Sequence, residues 1–245
     1  MSFAIFGGIH GNLEALEAII KHARKNKKVK EIYFLGDAIT FGADSSACLK
    51  LLAREKVKCV VGDHEQRIVR YDKAAKKKTY ASAEHMNFIF NQLDREDLAF
   101  IKKMPVFIKI NYKGHNIAFT HYSHDKDGVV RDREFESTEA NLNKLFADYN
   151  SEVVIYGHIH KRKIIIDENE KSFICAGSSG CVKGNKTFYT YFDIDTVGGT
   201  PNYVIYRENV PFNRDRFIQK IKSTPLPDKE TYALPVFGIE GVEKA

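Results

Sequence analysis

The sequence predicts a mixed α/β fold that alternates strands with helices at first and becomes β-rich later. Apolar runs at 3–6, 31–35 and 59–61 predict buried strands, and apolar residues at helical spacing in 13–23 and 45–56 predict the helices between them. Strands joined by helices in this way run parallel with right-handed crossovers. The beginning of the chain is therefore a predicted β-α-β-α-β unit.

A long helical stretch follows, and then strands return. Residues 66–104 show helical spacing up to Pro105 without a flanking linker, so they predict a helical insertion near the site and within the same domain. We expect one domain over 1–222, and an irregular tail over 223–245, which holds three of the six prolines. The remaining predicted elements are strands at 106–111, 116–119, 153–156, 164–167, 172–176, 187–194 and 203–206, and helices around 142–149 and 217–221.

Composition and charge restrict the class of protein. With 43% hydrophobic residues, the 245-residue chain can build a sizeable globular core. The formal charge of +6 is a mild basic excess spread over several segments, and solvated helix faces explain it better than a nucleic-acid surface. The same excess suits a small, phosphorylated, anionic substrate.

The sequence gives no indication of a membrane or an oxidising compartment. No apolar run approaches the roughly 20 residues of a membrane span, and the N-terminus lacks the basic region of a secretion signal. The four cysteines form no CxxC pair, so we expect a reduced, cytoplasmic protein. Cys175 and Cys181 flank a glycine–serine loop and could form a disulfide or bind metal, although ordinary buried thiols are the simpler interpretation.

Histidines and aspartates follow the predicted strands at the points where the strands end. Because the carboxyl ends of such strands meet at one edge of a sheet, we expect these side chains to converge on one metal site. Imidazole nitrogen together with carboxylate oxygen suits Mn²⁺, Fe or Zn²⁺, and no thiolate belongs to the predicted set. The set includes five of the nine histidines and consists of His10, Asp37, Asp63, His64, His121, His158 and His160.

The spacing of these residues suggests a two-metal phosphoryl site. His158 and His160 point to the same side if the backbone is extended, so they could serve neighbouring ions. A carboxylate such as Asp37 could bridge two cations. Two cations about 3.5–4 Å apart clamp a phosphoryl oxygen and generate a hydroxide that attacks phosphorus.

The ordered set resembles the calcineurin-like metallophosphoesterase superfamily, and its small bacterial phosphoesterases in particular. That family shows Asp-x-His, Gly-Asp, Gly-Asn-His-Asp/Glu, a lone His and Gly-His-x-His in this order. The corresponding pieces here are Gly8-Ile9-His10, Gly36-Asp37, Gly62-Asp63-His64-Glu65, His121 and Gly157-His158-Ile159-His160. The likeness covers about residues 1–207, and the loop at 176–180 is similar to the family's Pro-Gly-Ser-x-Gly loop.

The resemblance implies a fold, an activity and a set of roles. The fold would be a four-layer α/β/β/α sandwich of two mixed β-sheets flanked by helices. The activity would be metal-dependent hydrolysis of a phosphomonoester, phosphodiester or nucleotide, with one or two divalent ions per chain. Metal one would be held by His10, Asp37 and His160, metal two by Asp37, Asp63, His121 and His158, and His64 would face the scissile phosphate as the catalytic residue.

Two positions depart from the family pattern. Gly8 stands where the family has aspartate, which removes a carboxylate from metal one, and Asp63 stands where the family has asparagine, which adds one at metal two. We expect a strengthened metal two and a weaker metal one, whose gap is filled by water. The alternative is a catalytically impaired, phosphoesterase-like protein that binds a phosphate ligand or a partner.

Two other function classes fit poorly. The glycines at positions 7, 8 and 11 do not have the GxGxxG spacing of a dinucleotide-binding loop. Ser178 and Ser179 lie in Gly-Ser-Ser-Gly, which is not the GxSxG pattern of a nucleophilic hydrolase.

Overall fold

Two five-stranded β-sheets pack face to face in the computed structural model, which describes residues 2–71, 82–131, 137–197 and 200–240. The strands are β1 (Ser2–Phe6), β2 (Val29–Phe34), β3 (Lys58–Cys59), β4 (Phe107–Tyr112), β5 (His115–Thr120), β6 (Val153–Tyr156), β7 (Lys163–Ile166), β8 (Ser172–Cys175), β9 (Lys186–Val197) and β10 (Thr200–Pro211). The α-helices are α1 (Leu13–Lys25), α2 (Ser45–Arg54), α3 (Asp63–Val69), α4 (Ala83–Gln92), α5 (Arg95–Lys103), α6 (Glu139–Leu145), α7 (Arg214–Ser223) and α8 (Leu234–Val236).

Both sheets are mixed. The first has the order β10-β9-β1-β2-β3, with β1, β2 and β3 parallel and β9 and β10 antiparallel. The second has the order β4-β5-β6-β8-β7, with β5, β6 and β8 parallel and β4 and β7 antiparallel at the edges. Helices cover the outer faces, so the predicted four-layer α/β/β/α sandwich is confirmed.

The alternation along β1 explains how one strand serves two cores. Phe3 and Ile5 pack in the cluster between the sheets, whereas Ala4 and Phe6 pack in the cluster beneath the helices. Successive side chains of a strand point to opposite faces, so a strand covered on both faces reads as a continuous apolar run.

Helix α1 begins directly after the loop that carries the first candidate ligand. The Asn12 side chain accepts a hydrogen bond from the Ala15 N–H at 3.0 Å and so caps the helix. Its amide group also donates to the Gly180 carbonyl at 2.9 Å. The cap therefore ties the loop after β1 to the loop that precedes β9.

The tail differs from the prediction of an irregular segment. Residues Lys229–Ala233 form a π-helical turn that continues into α8, where Pro235 lies in the first turn. Proline is tolerated there because that N–H has no partner within the helix. Leu234 and Phe237 pack against α7, which is why the tail folds back onto the domain.

The insertion predicted at 66–104 is helical where the structure describes it, in α3, α4 and α5. Residues 72–81 lie outside the described part, and the domain boundaries remain a prediction. Across the described ranges, no helix combines the length and apolarity needed to cross a membrane.

Candidate metal centre

The carboxyl ends of five strands, three from the first sheet and two from the second, meet at one edge of the sandwich. All seven predicted side chains lie there. They follow their strands in this order: His10 after β1, Asp37 after β2, Asp63 and His64 after β3, His121 after β5, and His158 and His160 after β6.

One group of four donors is centred on His121. Asp37, Asp63, His121 and His158 each offer one ligand atom, and these atoms lie within 4.8 Å of one another. The Nε2 atom of His121 is 3.3 Å from Asp37 Oδ2, 3.1 Å from Asp63 Oδ1 and 3.2 Å from His158 Nδ1. Two carboxylates and two imidazoles at this spacing fit a divalent cation.

A backbone carbonyl fixes the orientation of the His121 ring on the side away from the carboxylates. Its Nδ1 lies 2.6 Å from the Leu35 carbonyl oxygen, which can only accept, so Nδ1 carries the hydrogen and Nε2 faces the carboxylates. Burial disfavours the charged ring, but Asp37 and Asp63 outweigh burial and raise the pKa of His121 to about 9. This position therefore attracts positive charge.

A second group shares Asp37 with the first. His10, Asp37 and His64 offer atoms within 4.8 Å of one another, and His10 Nε2 lies 3.2 Å from His160 Nε2. Burial lowers the pKa of His10, with help from His64 and His160, and burial also lowers the pKa of His160 to about 4. Both rings are thus neutral near pH 7, which is the form that coordinates metal.

Glu65 positions the shared aspartate. Its carboxylate accepts hydrogen bonds from the backbone N–H groups of Asp37 at 2.8 Å, Ala38 at 2.7 Å and Gly62 at 2.9 Å. A Cβ atom on Gly62 would lie 2.2 Å from Asp37 Oδ1, so only glycine permits this approach. The motif containing Glu65 was recognised in the sequence, but this role was not.

Left-handed backbone is concentrated in the same loops. The φ angles are +50° at His10, +63° at Asp37 and +61° at His158, and Thr40 has +73°. Residues other than glycine seldom adopt this conformation, and such strain often occurs at functional sites.

His64 is held on the other side of the pocket. Its Nδ1 lies 2.6 Å from Thr40 Oγ1, and its ring contacts Phe41 edge-on at a centroid distance of 5.1 Å. Burial lowers the pKa of His64 to about 3. The ring is therefore neutral, and Thr40 helps to determine which nitrogen carries the hydrogen.

The structure shows the surroundings of the two positions that depart from the family pattern, Asp63 and Gly8. Asp63 directs Oδ1 at His121, while its Oδ2 lies 3.2 Å from Arg67 Nη2, so the added carboxylate has a positive neighbour. At Gly8, φ is +59°, and a Cβ atom would lie 2.9 Å from Ser178 Oγ. An aspartate at Gly8 would therefore require the loop at 176–180, called the serine loop below, to move.

A cavity of about 390 Å³ opens above the donor groups. From the insertion at 66–104, Arg67 lines the cavity. The remaining wall comes from Phe41 and from the tail, through Thr231, Tyr232, Pro235 and Val236.

Comparison with known proteins agrees with this geometry. The family model of the calcineurin-like phosphoesterase superfamily domain matches residues 1–197. The chain belongs to the calcineurin-like phosphoesterase superfamily. It is 26% identical over 247 residues to an uncharacterized protein of Methanocaldococcus jannaschii, covering 92% of this chain and 93% of that protein.

A more limited match relates this member of the superfamily to enzymes of stated activity. It is 27% identical over 112 residues to the symmetrical bis(5'-nucleosyl)-tetraphosphatase of Actinobacillus pleuropneumoniae, covering 44% of this chain and 41% of that enzyme. The match thus spans less than half of the tetraphosphatase.

Two solved structures share the fold. The metallophosphoesterase from Sphaerobacter thermophilus has a TM-score of 0.69 at 17% identity, covering 97% of this chain and all of that one. A hypothetical protein from Pyrococcus horikoshii has a TM-score of 0.72 at 15% identity, covering 97% and 96%. At these identities the likeness shows the architecture alone.

Proposed function

We propose that this calcineurin-like phosphoesterase hydrolyses a phosphomonoester or phosphodiester of a small molecule with the help of one or two divalent cations, Mn²⁺, Fe or Zn²⁺. One observation carries the proposal: two groups of metal-type donors share Asp37 at the base of one cavity. The donor chemistry fits such ions because imidazoles and carboxylates converge in both groups.

The roles follow the family resemblance. His10, Asp37 and His160 would hold one ion, and Asp37 would bridge to a second, held also by Asp63, His121 and His158. Bound cations polarise a phosphoryl oxygen and lower the pKa of a bound water.

His64 would stabilise the charge on the phosphate. Its ring centroid lies 4.9 Å from that of His10, and its low pKa makes it a neutral hydrogen-bonding group at pH 7. Arg67 at the cavity wall would attract the anionic substrate.

A small nucleotide phosphate is the substrate class that we favour. The tetraphosphatase relatives act on nucleotides by name, and the cavity wall here offers the aromatic rings of Phe41 and Tyr232 to a base.

The decisive experiment measures hydrolysis by chelator-treated protein before and after Mn²⁺ or Zn²⁺ is restored. Substrates are an aryl phosphate, a bis-aryl phosphodiester and a dinucleoside tetraphosphate. We expect turnover only with metal, and a loss of at least about 100-fold in Asp37→Asn. His115→Asn, whose ring lies near Glu152 at 3.6 Å, is the control and should retain activity.

Ligand binding without turnover under every condition would instead favour the binding-module alternative. Because Ser178 fills the space beside Gly8, the restoring variant must combine Gly8→Asp with Ser178→Gly and Asp63→Asn. Activity found only in that triple variant would show that the natural site binds without catalysing.

A further inference from the structure

The serine loop between β8 and β9 brings a cysteine to the incomplete end of the donor cluster. The sulfur of Cys181 and one ring nitrogen each of His10 and His160 lie within 4.8 Å of one another. These are the two histidines that face each other through their Nε2 atoms at 3.2 Å. Two neutral imidazoles and a thiol thus lie together on the side of the cluster where the family has the carboxylate that Gly8 does not supply.

The loop is fixed against the strand that would have supplied the missing ligand. The backbone N–H groups of Ser179 and Gly180 donate to the carbonyls of Gly7 at 2.9 Å and Gly8 at 3.0 Å. Ser178 Oγ donates to the Gly8 carbonyl at 2.7 Å and accepts from the Cys181 N–H at 3.2 Å. The serine that occupies the space beside Gly8 therefore also anchors the backbone of Cys181.

His10 adds an independent indication of a ligand. Its ring is fully buried, and its Nδ1 atom has no hydrogen-bond partner among the described residues. A buried polar atom without a partner costs free energy, which a ligand bound at that atom would remove.

We propose that Cys181 is a thiolate ligand of the metal position at His10 and His160, in place of the carboxylate that Gly8 does not provide. This inference rests on the proposed function and refines its metal site. Coordination releases the thiol proton to solvent and requires no redox partner. A thiolate with two imidazoles selects Zn²⁺ or Co²⁺ over Mn²⁺.

A thiolate from Cys181 takes the place of the water that was expected to fill the gap at metal one. It also adds a soft ligand to a set that was predicted from imidazole and carboxylate alone. The two metal positions then differ in chemistry, with one thiophilic and the other built from Asp37, Asp63, His121 and His158.

Cobalt provides a readout that does not depend on catalysis. Chelator-treated full-length protein is titrated with Co²⁺ under reducing conditions, and the near-ultraviolet thiolate-to-cobalt charge-transfer band is recorded. We expect the band to grow to a plateau at one Co²⁺ per chain, to disappear in Cys181→Ser and Cys181→Ala, and to persist in Cys175→Ser. Cys175 is a matched control because it is buried near the same loop and its sulfur contacts the Ile159 carbonyl at 3.1 Å.

Zinc competition against a chromophoric chelator gives the second measurement. One Zn²⁺ per chain should bind at least about tenfold more weakly in Cys181→Ser than in the natural protein. Circular dichroism of the metal-free variants checks that they fold. Absence of the charge-transfer band at saturating Co²⁺, or an unchanged band in folded Cys181→Ser, would overturn the proposal.

The outcome is distinguishable from failure of the proposed function. A cysteine-dependent band in a protein that hydrolyses no ester supports the ligand and counts against the enzyme. Metal-dependent hydrolysis without the band supports the enzyme and removes Cys181 from the site.

Discussion

Asp63 is the residue at which this chain adds a charge to the pattern of its family, and its surroundings show how that charge is accommodated. One oxygen faces the imidazoles of His121 and His158, and the other faces Arg67. Burial favours the neutral acid, but His64, His121 and His158 outweigh burial and lower the pKa of Asp63. The carboxylate therefore stays ionised and supports a positive charge beside it.

Substituting Asp63→Asn should lower the pKa of His121 in the metal-free protein. The value is about 9 because Asp37 and Asp63 stabilise the charged ring against burial, and the substitution removes one of these carboxylates. Histidine titration by NMR measures the change, with the exposed Asp127→Asn as control. An unchanged titration of His121 would contradict this account of the site.

Thr40 is the residue that we expect to position His64. The substitution Thr40→Val removes the hydroxyl that lies 2.6 Å from His64 Nδ1, so the ring loses its fixed orientation. We expect kcat to fall by about tenfold, which corresponds to one hydrogen bond, while KM changes little. Thr40→Ser keeps the hydroxyl and should restore most of the rate, and equal losses in both variants would show that the methyl group matters instead.

At the scale of elements, helix α3 connects the side chains of Asp63 and His64 to the loop that carries Asp37. It begins at Asp63 and His64, and Glu65 on the same turn accepts the N–H groups of the loop that carries Asp37. The loop after β2 is thereby held by a carboxylate from the next helix.

Substituting Glu65→Gln should destabilise the metal-free protein by about 1–3 kcal/mol. The buried carboxylate accepts from four backbone N–H groups, those of Asp37, Ala38, Ile39 and Gly62, and an amide offers only one acceptor oxygen for them. Urea denaturation measures the change. Glu84→Gln, on the exposed face of α4, is the control and should have little effect.

The tail helix should contribute to the choice of substrate. Tyr232→Ala removes an aromatic ring from the cavity wall, so KM should rise several-fold for a dinucleotide and stay constant for a small alkyl phosphate. Tyr206→Ala, on the exposed edge strand β10, is the control. Equal increases for both substrates would mean that the tail supports the fold without touching the base.

At the scale of the whole molecule, metal removal should lower stability, and the loss should grow with pH. A free metal concentration of 100 times Kd stabilises by about 2.7 kcal/mol, and each kcal/mol shifts Tm by about 2–4 °C for a chain of this size. The raised pKa of His121 stabilises the metal-free protein fully below about 6.5 and no longer above about 9.

A metal ion must displace the proton that makes the His121 ring charged. The stabilisation by metal should therefore increase between pH 6.5 and about 9. Thermal melts with chelator and with Mn²⁺ at pH 6.5, 8 and 9 test the trend. A difference in Tm that shrinks as pH rises would contradict it.

Much of the fold follows from local periodicity, but its layering does not. The apolar runs of β1, β2 and β6 indicate burial on both faces without indicating what covers them, so the second sheet was inferred from the family resemblance alone. The tail was mispredicted because prolines were taken as helix breakers, whereas Pro235 occupies a first turn that accepts it.

The gathering of the candidate site was predictable because parallel strands end at a common edge, and all seven side chains lie there. The assignment of six of them as metal ligands and of His64 as the catalytic residue stays a prediction. Thr40, Arg67 and Tyr232 were missed because no short motif marks them, and their proximity arises only when distant loops pack together. Cys181 was considered as a metal ligand, but the sequence favoured an ordinary buried thiol because its closeness to His10 and His160 is visible only in the fold.

The donor cluster lies across the seam between the two sheets, since His10, Asp37 and Asp63 follow strands of one sheet and His121, His158 and His160 follow strands of the other. An ion bound there would cross-link the two sheets, because they could not separate without breaking coordination bonds. Metal uptake should consequently come late in folding, after the two halves have docked, and a loaded molecule should unfold far more slowly than an empty one.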